Sequence, residues 1–104
     1  MNRNRDYEKL LGDVPKENVF WLGDGKSIHN LKDLLVNLRV MDDETFKVHV
    51  NREKNDFKEW IVHVLKDDKL AKDISRLKRK DKFVVQVKKR IKTLQRGIQR
   101  KNKK

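Results

Sequence analysis

The chain has 104 residues, of which 42% are charged and 36% hydrophobic, and it contains no cysteine. That length suits a single domain. The missing cysteines exclude disulfides, thiolate metal sites and cysteine nucleophiles. The formal net charge of +12 is unevenly spread: residues 1–75 hold 14 Lys/Arg against 15 Asp/Glu, whereas residues 76–104 hold 14 Lys/Arg against Asp81 alone.

No apolar run approaches the roughly 20 residues a membrane helix needs. The start, Met1-Asn2-Arg3-Asn4-Arg5, has no apolar segment of the kind a secretory signal requires. A cytoplasmic location is therefore expected.

In chain order, residues 1–17 are polar and mixed in charge, with Tyr7, Leu10 and Leu11 on a short helix that ends near Gly12 before Pro15 breaks the chain. They read as a flexible N-terminal arm. Val19-Phe20-Trp21-Leu22, the turn Gly23-Asp24-Gly25 and then Lys26-Ser27-Ile28 read as a small β-hairpin. Such a hairpin is marginal alone and must lie on helices.

Asn30 is placed to cap a helix with Leu31, Leu34, Leu35 and Leu38 on one face. Asp42 or Asp43 caps a second helix bearing Phe46 and Val50. Asp56 and Glu59 have capping-box spacing, and Phe57, Trp60, Ile61, Val64 and Leu65 repeat the helical stripe. Asp67-Asp68 opens a further helix with Leu70, Ala71, Ile74 and Leu77.

The last helix carries Phe83, Val84, Val87, Ile91, Leu94 and Ile98 on an arc of about 100°. Lys82, Lys88, Lys89, Lys92, Arg96 and Arg100 occupy a separate arc, with Val85 unexplained among them. Gly97 weakens that helix by about 1 kcal/mol relative to alanine. The expected fold is mainly α: four or five short helices in a compact bundle with a small N-terminal hairpin. Residues 18–98 form the single domain, and 99–104 a basic disordered tail. A strand at 83–87 would make the fold α+β instead.

The stretch from Phe20 to Ile74 resembles a small archaeal domain family of unknown function. The likeness is carried by Phe20, Asp24-Gly25, Leu31, Leu34, Phe46-x-x-His49-Val50, Asn55-Asp56-Phe57-x-x-Trp60-Ile61, Asp67 and Leu70-Ala71. It spans about half of the chain. It implies an archaeal cytosolic source and a compact helical module, and brings no activity or catalytic residue. The basic C-terminal segment lies beyond it.

Other constellations have plain structural readings. His29, His49 and His63 lack the HxxxH or HExxH spacing of a metal site. The acid pairs at 42–44 and 67–68 suit helix caps, where carboxylates meet unpaired backbone N–H groups. Gly23-Asp24-Gly25 is too short to cradle phosphate. Phe57 and Trp60 read as core, and Trp21 as the better candidate for an exposed aromatic. No catalytic signature, cofactor motif or metal site emerges, so a non-enzymatic role is expected.

The basic segment is the remaining functional feature. Lys78, Arg79, Lys80, Lys82, Lys88, Lys89, Lys92, Arg96, Arg100 and Lys101 are the candidate nucleic-acid-binding residues. Cations on one face can neutralise backbone phosphates and release counterions. With no base-reading motif, weak sequence preference is expected, with RNA slightly favoured over DNA. The alternative is a protein-interaction module that docks the basic helix on an acidic partner. Anionic lipid headgroups come third, because the helix needs its apolar face for the core.

Overall fold

The computed structural model describes residues 3–22 and 25–102; the turn residues Gly23 and Asp24 lie outside the described residues. The elements run α1 (Arg3–Leu11), β1 (Phe20–Trp21), β2 (Ser27–Ile28), α2 (Leu31–Val40), α3 (Asp43–His49), α4 (Asp56–Trp60), α5 (Asp68–Ile74) and α6 (Lys80–Asn102). A single 3-10 turn, Lys16–Asn18, precedes β1, and a π-helical turn, Ile61–Leu65, prolongs α4. The fold is thus mainly α with one antiparallel hairpin, in which Phe20 pairs with Ile28 and Trp21 with Ser27. Residues 83–87 are helical, inside α6.

Helices α2, α3, α4 and α5 each start where a side chain satisfies an unpaired backbone N–H. Asn30 accepts from Asp33 N at 2.7 Å, Asp42 from Thr45 N at 2.8 Å and Asp67 from Leu70 N at 3.1 Å. In α4 the cap is Asn55, accepting from Lys58 N at 3.0 Å, and not Asp56 as the capping-box spacing suggested. Asn55 is also buried, with its Nδ2 3.4 Å from the Ile74 carbonyl oxygen, so the packing of α5 selects it. Asp56 then turns towards His49 and Lys54.

The stripes meet in one core. Leu31, Leu34, Leu38, Phe57, Ile61, Leu70, Ile74, Phe83, Val87 and Leu94 are all fully buried. Phe46, Phe57 and Phe83 form its aromatic centre, with Phe46 and Phe83 edge-on at 5.0 Å between ring centroids. Phe20 stacks on Phe57 at 4.9 Å and joins the hairpin to this cluster.

Trp60 closes one side of the core, with its Nε1–H donating to the Asn18 carbonyl oxygen at 2.8 Å. Trp60→Ala is expected to cost about 3–5 kcal/mol through the lost burial and the cavity left behind. Urea denaturation measures it, and a midpoint matching the parent's would remove Trp60 from the core.

Two boundaries differ from the sequence reading. The segment 1–17, expected as a flexible arm, carries α1, which packs along α6 and also touches α2. Tyr7 lies against Gly97, where an added Cβ would overlap its ring. Gly97 therefore admits α1 and is not merely a weak point of α6. The second difference is at the far end: α6 continues to Asn102, so the start of the expected 99–104 tail is helical; residues 103–104 lie outside the described residues.

Candidate nucleic-acid interface

Helix α6 is held by its apolar side. Phe83, Val87, Ile91 and Leu94 face the core, and α1, α2 and α5 all pack on this helix. At 100° per residue these four cover about 80° of the circumference, and the opposite side remains outside. Lys82, Lys88, Lys89, Lys92, Arg96 and Arg100 are all exposed there. They cover an arc of about 120° and a length of about 27 Å, from 1.5 Å of rise per residue.

Val85, half exposed, sits in the middle of this arc. The exposed residues of the arc include no aromatic: Phe83 is fully buried, and the exposed Trp21 belongs to the hairpin, which packs on α2. A phosphate backbone is the nucleic-acid feature that such a surface can engage, because base stacking needs an aromatic platform.

The ten sequence-derived candidates divide by what their side chains touch. Lys78, Lys82, Lys88, Lys89, Lys92, Arg96 and Arg100 are exposed, and none forms an ion pair with a carboxylate among the described residues. Arg79 is exposed but holds Asp81 at 2.7 Å. Lys80 is half-buried, with its Nζ donating to the Met41 carbonyl oxygen at the end of α2, so it serves the fold. The Lys101 side chain lies outside the described residues.

At the start of α6, Lys47, Lys78, Arg79 and Lys80 meet Asp43 and Asp81 around a shallow concavity of about 310 Å³. Its cations outnumber its acids four to two, which extends the positive surface around the first turn.

Arg90 was absent from the candidates, and the structure places it apart from them. It lies on the core side of α6, with its side chain only 15% exposed, and its Nε donates to Asp67 at 2.8 Å. Asp67 is 1% exposed. Among the described residues this is the one ion pair joining α6 to an acid of the near-neutral front part of the chain. The front acids therefore leave the outer face of α6 uncovered.

The histidines are scattered, and no group of three or more His, Asp or Glu side chains among the described residues is placed to hold a metal ion. His29 meets Ser27 Oγ, and His63 meets Glu59. His49 is buried against Phe20 and Phe57, with Nδ1 3.0 Å from Asp56.

Burial pushes the Asp56 carboxyl up, but hydrogen bonds from Lys54 and His49 outweigh that and hold it below the ordinary carboxylate value of 3.8. The unfolded chain then binds the Asp56 proton more readily than the folded one. The stabilisation from Asp56 is therefore complete above the unfolded value and lost as pH falls through the lowered folded value. Asp56→Asn should accordingly destabilise at pH 7, with the gap to the parent closing at an acid pH below the lowered folded value. Urea midpoints of both proteins at the two pH values decide it, and a gap that persists in acid would refute it.

No helix among the described residues is long and apolar enough to cross a membrane. Compared with known proteins, the chain matches no family model, no curated protein and no solved structure.

Proposed function

We propose that the protein is a non-enzymatic nucleic-acid-binding protein that contacts the phosphate backbone through the outer face of α6, with RNA or a ribonucleoprotein as its preferred partner over DNA. The observation that carries this reading is the row of exposed cations from Lys82 to Arg100, unmatched by any acid of the domain among the described residues. A solubilising charge would not need one rigid face opposite a packed one. The resemblance of residues 20–74 to a small archaeal domain contributes no activity to this proposal.

Six cations on that arc suffice for a phosphate-tracking contact. With about six phosphates neutralised on duplex DNA, log K should fall against log salt with a slope near −5, and less steeply on single strands. Fluorescence anisotropy with 20-mer duplex DNA, duplex RNA and single-stranded RNA of scrambled sequence measures this. Binding that is weak at low salt for all three probes, or indifferent to salt, would overturn the proposal. Nucleic acid recovered from gently purified protein identifies the natural partner, and recovery of an acidic protein instead would favour the docking alternative.

A further inference from the structure

We propose that the groove between α1 and the π-helical turn binds a small organic oxyanion, a carboxylate or phosphate group on an apolar body, with Arg90 as the receptor.

The groove encloses about 680 Å³, within the range of small-molecule sites (about 300–1,000 Å³). Leu10 and Val14 form one wall, and Val64 and Leu65 the other. Arg90 reaches it from α6. Its guanidinium is fixed by Asp67, whose two oxygens are committed, one to Arg90 Nε at 2.8 Å and one to Leu70 N at 3.1 Å. Among the described residues the two Nη nitrogens make no hydrogen bond, and no buried side-chain donor there is left without a partner, so they open outward. A planar, oriented pair of N–H donors beside apolar walls is a receptor for a carboxylate or phosphate head group.

The remaining charges leave the groove close to neutral, so the head group is selected by the oriented donors of Arg90. Asp67 is paired with Arg90 and Lys69 with Asp73, whereas the neutral Asn30 amide that donates to Asp13 leaves its carboxylate charge in place. Lys9 and Lys66, which have no ion pair among the described residues, share the groove with the carboxylates of Asp13 and Asp68.

The backbone is unusual at this wall. Ile61–Leu65 widens into a π-helical turn, and Lys66 adopts the left-handed conformation (φ 62°, ψ 37°) that favours glycine. The π-helical turn is a feature that recurs at functional sites, whereas left-handed Lys66 is the C-cap of that turn, closed by Asp67 N donating to the Ile61 carbonyl oxygen at 3.1 Å. Arg90 lies about 140° around α6 from the centre of the basic face, so a polymer bound there does not occupy the groove.

The test is a titration of 15N-labelled full-length protein, read on the Arg90 Nε–Hε resonance. The probes are hexanoate, hexyl phosphate, hexanol and hexylammonium. A saturable shift with hexanoate, with hexyl phosphate or with both is expected, the pattern showing which head group the site takes. Hexanol and hexylammonium should leave the resonance in place.

Lys66→Gly suits the left-handed backbone and should fold, but should bind about fivefold more weakly for want of one charge-assisted contact. Arg90→Lys keeps a cation for Asp67 and should lose binding, followed on the Lys66 and Val64 amides. Failure of both anions to saturate, equal shifts with hexanol, or undiminished affinity in folded Arg90→Lys would each overturn the proposal. If Arg90→Lys does not fold, the probe series on the parent and Lys66→Gly decides alone.

Discussion

Replacing Lys88, Lys89, Lys92 and Arg96 together with glutamate is expected to abolish nucleic-acid binding while the domain stays folded. All four side chains are exposed, and none takes part in an ion pair among the described residues, so the change removes no packing. Four lost phosphate contacts should flatten the salt slope by about 3.6. Four new like charges then repel the backbone as well, so affinity at low salt should drop by about a thousandfold or more.

The control reverses the same number of charges elsewhere, at Lys16, Lys32, Arg52 and Lys72, all exposed and outside α6. Compared at 0.1 M salt, it should keep most of the affinity, because screening there limits exposed charges to about 10 Å. Equal loss in both variants would mean that bulk charge, and not the α6 face, does the binding. Truncation before Lys78 is no substitute, since Phe83, Val87, Ile91 and Leu94 belong to the core.

The helical stripes could be read from sequence because burial imposes its own period. Leu31, Leu34 and Leu38, or Phe57, Trp60 and Ile61, face one way in any helix and need one partner surface. The caps Asn30, Asp42 and Asp67 were equally local. What depended on distant residues was not legible. Docking of α1 needs Tyr7 to meet a position about ninety residues away that lacks a Cβ, and Gly97 by itself signals only a weak helix. Asn55 and Asp56 are comparable caps by chemistry, and the Ile74 carbonyl beside Asn55 separates them.

Among the site residues the outer arc of α6 was legible because exposure follows from the buried arc. Two cations were not. Lys80 looks like its neighbours until the end of α2 is placed beside it. Arg90 falls at a core-side position of α6, and a charge there has meaning only once a buried acid is found opposite. The helical period did carry a hint of this, since Arg90 lies outside the basic arc.

Asp67→Ala should be damaging, at about 2–4 kcal/mol, because it removes the buried counter-charge that fixes Arg90 Nε, although the two Nη nitrogens stay open to solvent. Loss of the cap on α5 contributes about 1 kcal/mol of the total. Asp67→Ser isolates the two effects: the hydroxyl can still accept from Leu70 N, so its cost reports mainly on Arg90.

Adding Arg90→Met to Asp67→Ser should then recover most of the loss. Both charges were desolvated to form the pair, and an apolar side chain at position 90 needs no partner. A double-mutant cycle by urea denaturation should give a coupling of about 2 kcal/mol or more. A loss below about 1 kcal/mol in Asp67→Ser, with no recovery in the double variant, would mean that the pair is hydrated in solution. The fixed guanidinium on which the groove depends would then be absent, whereas the outer face of α6 would keep its cations whatever the outcome.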